Sequence, residues 1–141
     1  MSGAFSKQKG KRGEREVVIL LQPIVNKVFE ARGLEIPTLY RNQNQSFQGG
    51  YDIDGIDWIA LEVKRQETLQ VNKWWEQTIK QASPEQVPVL VYRQNQQKWK
   101  VMMYGYLDCG EQRVKTPVTI TLEAFLVYFE VRMCAVLDGK I

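Results

Sequence analysis

The run Trp58-Ile59-Ala60-Leu61-Glu62-Val63 constrains the fold more than any other stretch of the chain. It is too apolar for a surface loop and too short for an isolated helix, so it reads as a buried strand. Glu62 and Lys64 sit two apart near its end, which places both on one face. A second acid, Asp52 or Asp54, arrives just before the strand, and Glu14 and Glu16 offer a third on the first predicted helix. Carboxylates are costly to bury unless something neutralises them, and a divalent cation held by oxygen ligands is the simplest partner.

At 141 residues the chain fits one domain with a true core. No uninterrupted apolar run approaches a membrane span, and the N-terminus lacks the hydrophobic segment of a signal peptide. Cys109 and Cys134 have no metal-ligand spacing, so a reducing cytoplasm is the default expectation. The chain has no histidine, which excludes histidine-metal nucleases, histidine-nucleophile phosphodiesterases and serine–histidine hydrolases. Nor is there a glycine-rich phosphate loop; Gly10 and Gly13 lack the rest of that pattern. Any phosphodiester chemistry must run on carboxylates, lysine and metal.

A net charge of +3 says little, but its distribution says more. Lys7, Lys9, Lys11, Arg12 and Arg15 crowd the start. Cations around an acidic centre suit an enzyme acting on a polyanion. A solubilising, disordered tail is the plainer reading of the same residues.

Residues 1–12 are expected to form a mobile basic arm, and 13–141 a single domain. Val17, Leu21, Ile24 and Val28 recur at helical spacing from Gly13 to about Arg32, with Pro23 expected to bend or split the helix. Ile36 to Arg41 reads as a strand, and Asn42 to Gly50 as a wide polar loop. The element Asp52–Ile56 and the strand Trp58–Lys64 follow. Val71, Trp74, Trp75, Thr78 and Ala82 predict a helix from Leu69 to Ala82, on which the two tryptophans cannot both face a core. Val87–Tyr92 pairs with Lys98–Tyr104, and Cys109–Lys115 reads as strand and loop. The last helix carries Leu122, Phe125 or Leu126, Phe129, Met133 and Leu137. Together these elements predict a mixed α/β domain with helices covering a central sheet.

Three segments stand in a telling order: Lys9-Gly10-Lys11-Arg12-Gly13-Glu14-Arg15-Glu16, then Gly49-Gly50-Tyr51-Asp52-Ile53-Asp54-Gly55-Ile56, then Glu62-Val63-Lys64-Arg65. They resemble the restriction-endonuclease-like, PD-(D/E)XK nuclease superfamily, and within it the archaeal-type Holliday-junction resolvases and their phage relatives. The likeness covers roughly residues 9 to 104, and the stretch from Trp74-Trp75 through Gln77 to Gln81-Ala82 is similar to the phage group. It implies a restriction-endonuclease-like α/β fold with a central mixed β-sheet flanked by helices. Glu14 would be the helix-borne catalytic glutamate, Asp52 rather than Asp54 the motif aspartate, and Glu62 and Lys64 the glutamate and lysine of the last motif. Gln77 or Gln81 would support the site.

The resemblance further implies an Mg²⁺ enzyme, with Mn²⁺ able to substitute, in which Asp52, Glu62 and the Val63 carbonyl bind metal. Its DNA would be branched, with four-way junctions the leading case, cut to 5′-phosphate ends by a homodimer in the cytoplasm of a phage-infected host. Arg41, Arg65 and Lys73 join the N-terminal cations as candidate nucleic-acid contacts, although each also reads as an ordinary surface cation. Other readings stay open. Glu62 and Lys64 would also suit a solvated strand end, Asp52 a turn, and Glu14 and Glu16 a first helical turn. A restriction, repair or flap nuclease would use the same residues. A non-catalytic nucleic-acid-binding module or a protein-interaction domain would not use them for chemistry.

Overall fold

The computed structural model describes residues 3–42 and 51–141, with side chains from residue 11 onward. The described residues form helices α1 (Gly3–Glu30), α2 (Val71–Gln81) and α3 (Leu122–Leu137). The strands are β1 (Tyr40–Arg41), β2 (Ile53–Asp54), β3 (Ile59–Gln66), β4 (Val87–Gln94), β5 (Lys100–Cys109) and β6 (Gln112–Thr121). They build one six-stranded sheet in the order β1-β2-β3-β4-β5-β6. Only β3 and β4 run parallel. A parallel pair cannot be joined by a tight turn, and α2 supplies the crossover. The predicted α/β fold with a mixed sheet is what forms.

β3 is central because its sequence allows nothing else. Ile59, Ala60, Leu61, Glu62 and Val63 are all buried, so this strand is covered on both faces. On one face Ile59, Leu61, Val63, Val89, Val91, Val101 and Met103 meet Val17, Leu21, Val25 and Val28 of α1 and Phe125, Phe129 and Met133 of α3. The last helix therefore covers the sheet within its own chain. Lys27 with Glu130 (3.2 Å) and Arg32 with Asp138 (2.8 Å) tie the ends of these two helices. The Arg32 guanidinium holds the Asp138 carboxyl below its usual range.

On the opposite face Trp74 and Trp75 pack with Leu90 and Tyr92. Both tryptophans are buried, contrary to the expectation that one must turn away. Neighbouring helical positions are about 100° apart, and α2 lies across β3 and β4. The two rings straddle its line of contact, Trp74 against Tyr92 at 6.3 Å and Trp75 edge-on to Tyr104 at 5.2 Å.

Other boundaries differ from the sequence reading. α1 starts at Gly3, so the stretch set apart as an arm continues the helix backbone; Lys, Gln and Arg are good helix formers. Pro23 lies inside α1 without ending it. The carbonyl that loses its partner belongs to Ile19, an exposed residue where water can satisfy it. β1 is only two residues long rather than spanning Ile36 to Arg41. Most of the polar loop, residues 43–50, lies outside the described residues.

β5 and β6 are each ten residues long and pair from Lys100–Thr121 to Cys109–Gln112. The distal half of this hairpin stands clear of the body, with Tyr106, Leu107 and Val114 exposed. Gly105 marks where it leaves. A Cβ there would lie 2.9 Å from Val118 Cγ2, and valine is stiff at χ1. Gly105→Ala is expected to destabilise the fold by about 1–2 kcal/mol. Overpacking costs about 1–3 kcal/mol, and relief of glycine's backbone entropy offsets about 0.5–1. Denaturant unfolding checks this, and an unchanged midpoint would refute it.

Candidate active site

The antiparallel turn from β2 to β3 brings Asp52 to the middle of the central strand. Its backbone N–H donates to Leu61 O at 2.8 Å, and its carbonyl accepts from Asn42 N at 2.7 Å. The carboxylate accepts from the backbone N–H of Val63 through Oδ2, at 2.7 Å. A buried carboxylate is thereby aimed and part-satisfied by the strand it serves.

Strand alternation does the rest. Leu61 and Val63 point to the α1–α3 core, so Glu62 and Lys64 point to the other face. Glu62 is 3% exposed and lies beside the Asp52 side chain. Two carboxyls in that contact need a proton between them or a cation. Burial first, and the Asp52 charge second, push the Glu62 carboxyl up to about 8, against the pull of Lys64. The Lys64 ammonium stands 3.5 Å from Glu62 Oε1 and is half-buried. Asp52, Glu62 and Lys64 are thus brought together.

The other candidates have partners of their own or stand exposed. Asp54 accepts from Gly55 N–H at 2.8 Å and from the Tyr40 hydroxyl at 3.2 Å, so it serves the turn. Asp57 is exposed. Glu14 is buried on α1 and paired with Arg41 at 3.1 Å, so this arginine neutralises an acid rather than standing free. Glu16 accepts from Arg65 at 2.7 Å and Arg93 at 3.4 Å, a clamp between α1 and the ends of β3 and β4. Gly13 lets α1 come this close: a Cβ there would sit 3.3 Å from Arg65 Cβ and 3.4 Å from Trp99. Lys11, Arg12, Arg15 and Lys73 are exposed, as is Gln77, while Gln81 is half-buried. Lys7 and Lys9 have no described side chains.

Arg93 escaped the sequence reading. Its signal was there: it continues the alternation Val87, Val89, Val91 and so must reach the α1 face.

Among the described residues no three metal-binding side chains gather closely enough to hold an ion. The Asp52–Glu62 pair still fits a hard divalent cation. Both are oxygen donors and both are buried, where a divalent cation would offset the charge they carry together. Among the described residues no helix is long and apolar enough to cross a membrane.

A family model described as "Phage putative PDDEXK endonuclease" matches residues 5–134. Neither a curated protein nor a solved structure matches the chain. The matched span runs from near the start of α1 almost to the end of α3 and takes in Glu14, Asp52, Glu62 and Lys64. The chain therefore belongs to the phage PD-(D/E)XK endonucleases, nucleases of the restriction-endonuclease-like fold.

Proposed function

We propose that the protein is a Mg²⁺-dependent, structure-specific endonuclease that cuts branched DNA, four-way junctions foremost, and works as a symmetric homodimer. The observation that carries this reading is the buried Asp52–Glu62 carboxyl pair with Lys64 beside it. PD-(D/E)XK nucleases generally use divalent metals.

Asp52 and Glu62, with the Val63 carbonyl, would hold the ion. When bound, Mg²⁺ supplies Lewis-acid charge to the phosphate and makes water acidic enough to attack it. The Val63 N–H fixes the Asp52 carboxylate in advance, so it need not reorganise during the reaction. Burial and the Asp52 charge raise the Glu62 carboxyl, so metal binding would compete with its protonation. Lys64 offsets charge that builds on the phosphate oxygens and orients the attacking water. Arg41 pairs with Glu14, the helix-borne acid, and offsets its charge. In-line attack breaks the P–O3′ bond and leaves a 5′-phosphate and a 3′-hydroxyl.

A four-way junction offers two-fold related strands, which a symmetric dimer would cut in pairs. Val127 and Val131, one turn apart on α3 and exposed, suit such a contact.

The test is a panel of end-labelled four-way junction, flap, linear duplex and single strand, each with Mg²⁺ and with EDTA. We expect paired cuts in the junction, 5′-phosphate ends and no cutting in EDTA. Equal cutting of linear duplex would remove junction specificity and leave a general nuclease. Binding without cutting of any substrate would reduce the protein to a nucleic-acid-binding module.

A further inference from the structure

An open cleft of about 670 Å³ lies where the β4–β5 turn meets the junction of β6 and α3, and nothing in the site above uses it. Its volume falls within the roughly 300–1,000 Å³ of sites that take small organic groups. The lining has two parts. Trp99, Ile120 and Leu122 give an apolar floor, each half-buried against the main core. Arg93, Lys98 and Lys100 surround it, and Glu123 is the one acid in the lining. Among the described residues no carboxylate pairs with Lys98 or Lys100. Arg93 lies over the Trp99 ring at 5.0 Å and is steadied by Glu16, while its own Nε–H has no hydrogen-bond partner among the described residues.

An aromatic platform backed by a guanidinium and edged by unpaired ammonium groups is the chemistry of a nucleotide: a flat base to stack and phosphates to neutralise. The cleft floor lies on the α1–α3 face, opposite Glu62 and Lys64, but the rim residue Lys100 shares the face of the candidate centre. Lys64, Tyr92, Lys100 and Thr121 are successive register partners across β3, β4, β5 and β6. Adjacent strands are about 4.8 Å apart, so the backbones of Lys64 and Lys100 are separated by about 10 Å. A DNA strand rises about 3.4 Å per nucleotide and covers that in about three.

We propose that this cleft is a strand-binding subsite for DNA. A nucleotide about three steps from the scissile phosphate stacks its base on Trp99 and sets its phosphates against Lys98 and Lys100. The inference rests on the nuclease reading and adds to it a contact outside the cutting centre. Lys98 and Lys100 are exposed, so removing them leaves the core untouched.

The experiment compares wild-type protein with Lys98→Ala/Lys100→Ala and with a charge-matched control, Lys80→Ala/Lys140→Ala. Binding of a single-stranded oligonucleotide and of a four-way junction is followed over a salt series, with Ca²⁺ replacing Mg²⁺ to prevent cutting. Each lost phosphate contact lowers the slope of log affinity against log salt by about 0.7–0.9, so the cleft variant should lose about 1.4–1.8 and the control nothing. Melting temperatures of both should match wild type. If wild type cuts and binds DNA but the cleft variant keeps its slope, the subsite is wrong and the nuclease reading stands. The same result would follow if the cleft served an acidic peptide. If wild type neither binds nor cuts DNA, both readings fall.

Discussion

Glu62→Gln is expected to slow cleavage on the order of 10²–10⁴-fold while the protein folds normally. The substitution preserves volume at a position 3% exposed and flanked by Leu90 on the next strand, so no cavity opens. It also allows a hydrogen bond, because an amide N–H can donate to the neighbouring Asp52 carboxylate. What it removes is one of two negative charges available to a cation. Single-turnover cleavage of the junction at saturating protein, beside circular dichroism melts, measures both consequences. A rate within threefold of wild type would take Glu62 out of the chemistry. Poor folding of the variant would instead assign this carboxyl a structural role.

In the absence of divalent metal, the wild-type protein is expected to become less stable as the pH rises from about 4.5 to about 8. The direction follows from where the proton sits. In the unfolded chain Glu62 ionises near 4.5, whereas in the folded protein burial and Asp52 hold it neutral up to about 8. Between those values the folded state binds the extra proton, so its advantage is complete at the acid end and is lost through the upper pKa. Each tenfold change in the ionisation constant is worth about 1.4 kcal/mol, so the loss amounts to several kcal/mol. Glu62→Gln should abolish this slope and melt higher than wild type at pH 8.5 without metal. Mg²⁺ should do the converse, raising the wild-type melting temperature more at pH 8.5 than at pH 5.5, because binding must displace that proton. Melts of both proteins at the two pH values, with EDTA or Mg²⁺, decide it; a parallel pH profile for the variant would contradict the assignment.

The parts of the fold legible in sequence were those with strong apolar patterning. The run through Ile59–Val63 and the stripe Phe125, Phe129, Met133 each allowed a single placement, and the central strand and covering helix follow. β6 was obscure because its residues alternate between half-buried and exposed without an apolar face, its identity coming from pairing with β5. Pro23 misled because a propensity argument ignores that water reaches the abandoned carbonyl. At the candidate site, sequence order sets both Asp52 and Asp54 near Glu62, and only the family resemblance points to Asp52. The separation is made by partners distant in sequence, the Val63 amide for Asp52 and the Tyr40 hydroxyl for Asp54. Long-range contacts also divert Glu16 to Arg65 and Arg93.

The projecting hairpin has a practical consequence. β5 carries the chain from Lys100, at the cleft, to the exposed thiol of Cys109, about 30 Å away at 3.4 Å per residue. The other thiol, Cys134, is half-buried in α3. Maleimide chemistry should therefore favour the hairpin tip, giving a fluorophore or tether that reports DNA arrival by energy transfer while leaving the carboxyl pair untouched.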